Sequence, residues 1–261
     1  MEGGPPGRCR ARHIVGGISV PLGFGKVTSI ALDPIEKKPL AFFHPGSMVL
    51  SVGGAGCNMD CYFCQNDSIS CVSPFDVPTR DMSPQVLAAL AQELVPRGNI
   101  GVAFTYNEPL VCHEYVVETA ALLHKRGLLS VVVTNGCFCP EAMPALFGLV
   151  DAYNIDLKGF TESWYRKLGG DLVTVKRFIK SAAACAHVEL TTLVVPGEND
   201  SPEEMDALAS WVADIRQDIP LHINRFFPRR SAAGAPTDAS SLRALAGIAG
   251  RHLTNVRVGN L

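Results

Sequence analysis

Three cysteines, Cys57, Cys61 and Cys64, stand in the stretch GCNMDCYFCQN at gaps of three and then two residues. Thiolates this close in sequence can reach one compact metal object. A structural zinc site takes four protein ligands in a tetrahedron. No further Cys or His follows within the usual reach, and Cys71 lies seven residues on. A [4Fe–4S] cluster normally takes four thiolates. Three leave one iron open, and an open iron can bind a ligand. The spacing therefore points to a cluster with a free position, with a zinc knuckle as the alternative.

The rest of the composition narrows the setting. The chain has 261 residues and a formal net charge of −2. That balance advertises no nucleic-acid or membrane-surface partner. The opening MEGGPPGRCRAR has no apolar core of a secretory signal, and no run of 18 apolar residues follows. A cytoplasmic location is expected. In a reducing compartment nine cysteines do not read as a disulfide framework. Cys137 and Cys139 form a C-x-C pair, and Cys9, Cys71, Cys112 and Cys185 are isolated.

Elements must carry the cysteines to a site. The first dozen residues, rich in Gly, Pro and Arg, read as loose chain, and 14–32 as a short hairpin. DPIEKKPL (33–40) reads as a polar loop. Strand-like runs then alternate with helical ones. Strands are expected at 47–53, 100–106, 128–136, 150–157, 187–195, 221–227 and 255–260. Helices are expected at 83–98, 110–126, 140–147, 171–186, 201–217 and 238–250, those at 83 and 201 opened by Ser-Pro. Such alternation means βαβ units and a parallel sheet. At roughly 35 residues per unit, residues 47–261 hold about six units, short of an eight-unit barrel. The expected fold is α/β: a partial (β/α)6 TIM-type barrel over 47–261, preceded by an extension over 1–46 that carries a short β-hairpin. A doubly wound sheet is the alternative. Cys57 falls just past the first barrel strand, at the end where active sites of such folds sit. Gly53, Gly54 and Gly56 let the chain turn there.

C-x-x-x-C-x-x-C in this place resembles the signature of the radical S-adenosylmethionine superfamily. The resemblance implies a [4Fe–4S] cluster held by Cys57, Cys61 and Cys64. It also implies S-adenosylmethionine on the open iron, reductively cleaved to a 5′-deoxyadenosyl radical that abstracts hydrogen. Phe63 matches the aromatic before the third cysteine and is expected near adenine. TYNEPL (105–110) stands where the superfamily has a Gly-Gly-Glu motif that meets the cofactor's amine. Asn107 and Glu108 hold those positions, and both glycines are lacking. VTNG (133–136) and NIDLKG (154–159) look like strand ends of the pyruvate formate-lyase activating enzymes. By position, Thr134, Asn135, Asp156 and Lys158 carry over as contacts to ribose and carboxylate, with a monovalent cation. Val133 stands where those enzymes have an aspartate, which touches the cation site. TTLVVPGEND (191–200) makes Thr191 a further candidate, without the arginine those enzymes carry nearby. LHINRFFP (221–228) places His222, Asn224 and Arg225 where side chains approach adenine or substrate. Arg225 is the cofactor candidate, and His222 reads equally as a structural histidine.

DPIEKKPL, CQN, TYNEP, NIDLKG, RFFP and the terminal GNL together resemble the AmmeMemoRadiSam radical enzymes, which are relatives of those activases. GRCRAR departs from the cysteine-rich start of longer members, so Cys9 reads as a plain thiol. DPIEKKPL has no chemistry derivable from its residues, although Lys37 or Lys38 could cover the cluster mouth. Cys137 and Cys139 read as small packing residues or as thiols near substrate. The resemblance implies a reductant such as flavodoxin or ferredoxin. Two substrate classes stay open: a glycyl residue on a partner protein, or a side chain or small molecule. A non-catalytic iron–sulfur electron carrier and a zinc module are the competing readings.

Overall fold

The computed structural model describes residues 7–261. A hairpin of β1 (Arg12–Val15) and β2 (Ile18–Pro21) opens it. The short β3 (Lys26–Val27) leads into β4 (Ser29–Pro34) and β5 (Met48–Gly53). Then come α1 (Asp67–Ser70), β6 (Arg80–Asp81), α2 (Pro84–Glu93), β7 (Asn99–Phe104), α3 (His113–His124), β8 (Leu129–Thr134) and β9 (Ala152–Asp156). The chain continues through α4 (Glu162–Lys167), α5 (Leu172–Ala183), β10 (His187–Val194), α6 (Pro202–Ala213), β11 (Leu221–Arg225), α7 (Ala239–Ala249) and β12 (Val256–Gly259).

Local chemistry fixes these bounds. Ser83, Asp171 and Ser201 cap α2, α5 and α6 by accepting backbone N–H groups of the first turn. Pro84 and Pro202 occupy first helical positions, where no N–H is needed. Along α5, Leu172, Val175, Phe178, Ile179, Ala182 and Ala183 form one buried stripe.

The main sheet runs β12-β11-β10-β9-β8-β7-β5-β4. All neighbours are parallel except β4, which lies antiparallel on β5 with Ser29 opposite Gly53 and Pro34 opposite Met48. Among the described residues no ladder joins β12 to β4, so the barrel stays open, as six βα units imply. Helices cover the outer face and bury the larger core, including Leu87, Leu123, Tyr153, Phe178 and Leu208.

Four expectations need correction. Residues 14–32 are not one hairpin, because the chain leaves β2 and adds β4 to the sheet edge. Residues 7–12 are not loose: Ala11 is buried, and Arg12 forks onto Glu114 at 2.6 and 2.9 Å. The rest of that loose stretch, residues 1–6, lies outside the described residues. The helix expected at 140–147 is a single 3-10 turn at Met143–Ala145, since Pro144 interrupts it. Helix α4 was not anticipated; Thr161 caps it.

DPIEKKPL also behaves unexpectedly. After β4 the segment 35–43 turns inside the curved sheet. Ile35 and Leu40 pack on Val49, Ala103, Val131 and Ala152, the inward residues of four strands. Lys38 is 4% exposed and pairs with Asp33 at 2.9 Å. Pro39 O accepts from Asn154 Nδ2 at 2.9 Å, and the N–H groups of Ala41 and Phe42 donate to Glu189 at 3.0 and 2.8 Å. The stretch is a plug, not a solvated loop.

Candidate active site

Above that plug lies a recess of about 1220 Å³. It is ample for a cluster and a nucleoside-sized ligand together. Every site residue read from the sequence lines it: Cys57, Cys61, Cys64, Phe63, Asn107, Glu108, Thr134, Asn135, Asp156, Lys158, Thr191 and Arg225. They come from the ends of β5, β7, β8, β9, β10 and β11, which is why parallel strands of one sheet can assemble them.

The cysteine loop follows β5. Gly56 has φ +88°, and a Cβ there would meet Cys9 O at 2.4 Å. Of the three glycines in the turn it alone needs the left-handed conformation. Asn107 fastens the same turn: Oδ1 accepts from Gly54 N at 2.9 Å, and Nδ2 donates to Gly56 O at 3.0 Å. From the far side, Arg230 Nη1 donates to Asp60 Oδ1 at 2.8 Å and Cys61 O at 2.9 Å.

The three thiols are unpaired and partly buried. Cys57 Sγ accepts from Met59 N at 3.4 Å and Asn135 Nδ2 at 3.7 Å. Burial, aided by nearby Glu108, pushes its thiol up to about 12. Burial also pushes the Cys61 thiol up. Thiolates here therefore need a cationic partner, which a metal centre supplies. Among the described residues no three His, Cys, Asp or Glu side chains converge on a point that would hold one metal ion. The thiols stand around the recess instead.

Glu108 is 4% exposed. Its carboxylate accepts from Leu110 N at 3.0 Å, Thr134 Oγ1 at 2.7 Å and Asn135 N at 2.7 Å. Burial raises its pKa to about 7, with those donors pulling the other way. No cation faces it among the described residues, so it fits a ligand's ammonium group. Asp156 and Lys158 pair at 2.8 Å, and Thr191 Oγ1 shares hydrogen bonds with Asn154. Phe63 stacks on Trp164 at 6.0 Å and meets Phe226 edge-on.

Three contributors escaped sequence reading. Tyr106 carries φ +72°, a conformation that glycine adopts at little cost. It stands at the first missing glycine of the motif. Its OH donates to Asp33 at 2.9 Å, and Lys38 lies over its ring at 4.7 Å. Glu189 is fully buried and accepts from His222 and His187. A lone acid inside the strand run HVELTTLVV was the available signal. Trp164 had none. Lys38 faces the recess floor and does not cover its mouth. Cys137 packs on the core, and Cys139 is exposed with its Sγ donating to Glu141.

Residues 51–209 match the Radical SAM superfamily. The chain belongs to the radical SAM superfamily. That family works with a [4Fe–4S] cluster and S-adenosylmethionine, and the donors above suit both groups. An uncharacterized protein of Methanocaldococcus jannaschii is 36% identical over 239 residues, spanning 90% of this chain and 70% of that one. The benzylsuccinate synthase activating enzyme of Thauera aromatica is 28% identical over 116 residues, 43% of this chain and 35% of the enzyme. SuiB of Streptococcus suis shares the fold, with a TM-score of 0.63 at 12% identity over 80% of this chain and 48% of that one. The chain thus spans less than half of both latter proteins. Among the described residues no helix is long and apolar enough to cross a membrane.

Proposed function

We propose that this protein is a cytoplasmic radical oxidoreductase that cleaves S-adenosylmethionine reductively and abstracts a hydrogen atom from a substrate in the recess. When bound, the reduced cluster supplies one electron that divides the cofactor into methionine and a 5′-deoxyadenosyl radical. The observation that carries the reading is the meeting of three cysteines and the uncompensated, buried Glu108 on one recess.

The residues divide the work. Cys57, Cys61 and Cys64 hold the cluster, and the Asn107 and Arg230 clamps keep their loop in shape. Glu108 receives the cofactor's ammonium, with Thr134 and Asn135 fixing the carboxylate in place. Lys158 offers its ammonium to the cofactor's carboxylate, held in position by Asp156. Phe63 and Thr191 border the adenosine. With Val133 in the recess wall, a monovalent cation would lean on Asp156 alone. The buried plug keeps water from entering from below, which protects a radical. Flavodoxin or ferredoxin is the expected electron donor. The similarity to an activating enzyme favours a partner protein as hydrogen source. A mere electron carrier would have no use for a recess this large or for Glu108.

The test is anaerobic. The reconstituted, reduced protein is mixed with S-adenosylmethionine, 5′-deoxyadenosine is quantified, and the EPR spectrum is recorded with and without cofactor. Product and a changed reduced-cluster signal are expected. A cluster indifferent to the cofactor would replace this reading with the electron carrier.

A further inference from the structure

The recess leaves GRCRAR (7–12) without a role. The segment lies across the outside of the cysteine loop. Gly7 N donates to Arg12 O and Arg10 N to Gly7 O, both at 2.8 Å, which closes it into a turn. Arg10 takes φ +59°, a left-handed conformation that residues with a side chain rarely adopt. The Cys9 carbonyl is the atom that Gly56 faces. Two arginines of this turn meet a third, Arg230, around Asp60. Asp60 N donates to Leu168 O at 2.9 Å, and the Arg8 guanidinium lies over the next residue, Gly169, where a Cβ would overlap it. Arg230 donates to Asp60 Oδ1 at 2.8 Å, and that bond, with Arg10 and Arg8 close by, holds the carboxyl below its ordinary value. Among the described residues Asp60 is the only carboxylate that pairs with any of the three. Three guanidiniums thus share one negative charge. Arg8, Arg230 and Asp60 are exposed, and Arg10 is half-buried.

This basic patch stands over the cysteines. Arg230 Nη1 also donates to Cys61 O at 2.9 Å, so Cys61 lies one exposed side chain below the surface. None of Arg8, Arg10, Asp60 and Arg230 lines the recess. A partner seated on the patch therefore leaves the recess open, and it meets the cysteine loop from the side opposite the substrate. We propose that the patch is the docking surface for an acidic electron-carrier protein, which delivers its electron through the Cys61 edge of the loop. The carrier loses one electron and the oxidised cluster gains it; no bond or proton moves. Surplus guanidiniums steer such a partner and fix its orientation. This rests on the cluster assignment in the radical reading. An acidic substrate protein would have to present its reacting carbon in the recess, away from these arginines.

The test uses the full chain, cluster-reconstituted, without S-adenosylmethionine. Flavodoxin is the acidic probe. Binding of oxidised flavodoxin is measured by calorimetry, and cluster reduction by flavodoxin hydroquinone is followed by anaerobic stopped-flow absorbance. Reduced methyl viologen, a small cation that needs no docking surface, is the control reductant. Raising the salt from about 0.02 to about 0.3 M should slow reduction by flavodoxin about tenfold or more, and should not slow reduction by methyl viologen. Arg8→Gln/Arg10→Gln should weaken flavodoxin binding and slow its reduction of the cluster about fivefold or more at low salt, with iron content unchanged and the methyl viologen rate not lowered. Arg243→Gln, exposed on α7, should match the wild type. Because Arg10 sits in the turn on the cysteine loop, Arg8→Glu alone is measured beside the double variant and should slow reduction about threefold or more. Three results overturn the proposal: no reduction by flavodoxin where methyl viologen succeeds, a flavodoxin rate that ignores salt, or wild-type rates in both variants. Weaker binding with an unchanged rate of reduction also overturns it, and would make the patch a seat for another acidic protein. Formation of 5′-deoxyadenosine with methyl viologen as reductant bypasses the patch and tests the radical reading separately.

Discussion

At the scale of single residues, two carboxylates in the molecule are buried for different ends. Glu189 is satisfied on all sides by histidines and backbone N–H groups. Glu108 is hydrogen-bonded yet faces the recess without a cation, which supports the ligand-binding role proposed for it. Glu108→Gln keeps the shape and removes the charge. It should weaken S-adenosylmethionine binding about tenfold to a hundredfold, the size of a hydrogen bond to a charged group, while iron content stays constant. Unchanged affinity, read by equilibrium dialysis of the reconstituted variant, would return Glu108 to a purely structural role. Cys61→Ala should lose both the cluster absorbance and cofactor cleavage. Retained cleavage would remove Cys61 from the ligand set.

At the scale of elements, the plug is the piece whose role sequence could not supply. Leu40 is fully buried against inward strand residues. Leu40→Ala should cost about 2–5 kcal/mol in urea unfolding, as buried Leu truncations do. The plug is also fastened electrostatically. Burial would raise the Glu189 pKa, but hydrogen bonds from His187, His222, Phe42 and Ala41 outweigh it and hold the carboxyl at about 2, below its ordinary 4.5. A depressed carboxyl contributes its stability above pH 4.5 and loses it as pH falls toward 2. The urea midpoint of the wild type should therefore drop across that window, and that of Glu189→Gln should drop less. Parallel curves would show that the plug is not held this way.

At the scale of the whole molecule, folding and ligand binding are linked. The recess is built from six strand ends, so a ligand that spans them stabilises the folded chain by mass action. With the cluster in place, S-adenosylmethionine at a hundredfold over its Kd should add about 2.7 kcal/mol and raise the anaerobic Tm by a few degrees. The stabilisation should fall to about 0.4 kcal/mol in Glu108→Gln at the same concentration if that variant loses a hundredfold in affinity. What the sequence determined by itself was the cysteine loop, the alternation of strands and helices and the strand ends that carry Glu108, Thr134, Asn135, Asp156 and Lys158. The spacing, the periodicity of 2 and 3.6 and the Ser-Pro helix starts are local signals, whereas the choice of those five strand-end residues rests on the resemblance to radical S-adenosylmethionine enzymes. Tertiary structure alone decided that β4 joins the sheet, that DPIEKKPL fills its interior and that Tyr106 takes a glycine-like turn braced by Asp33. Each of these depends on partners dozens of residues away, and a charged loop looks the same in sequence whether water or a buried counter-ion meets its lysine.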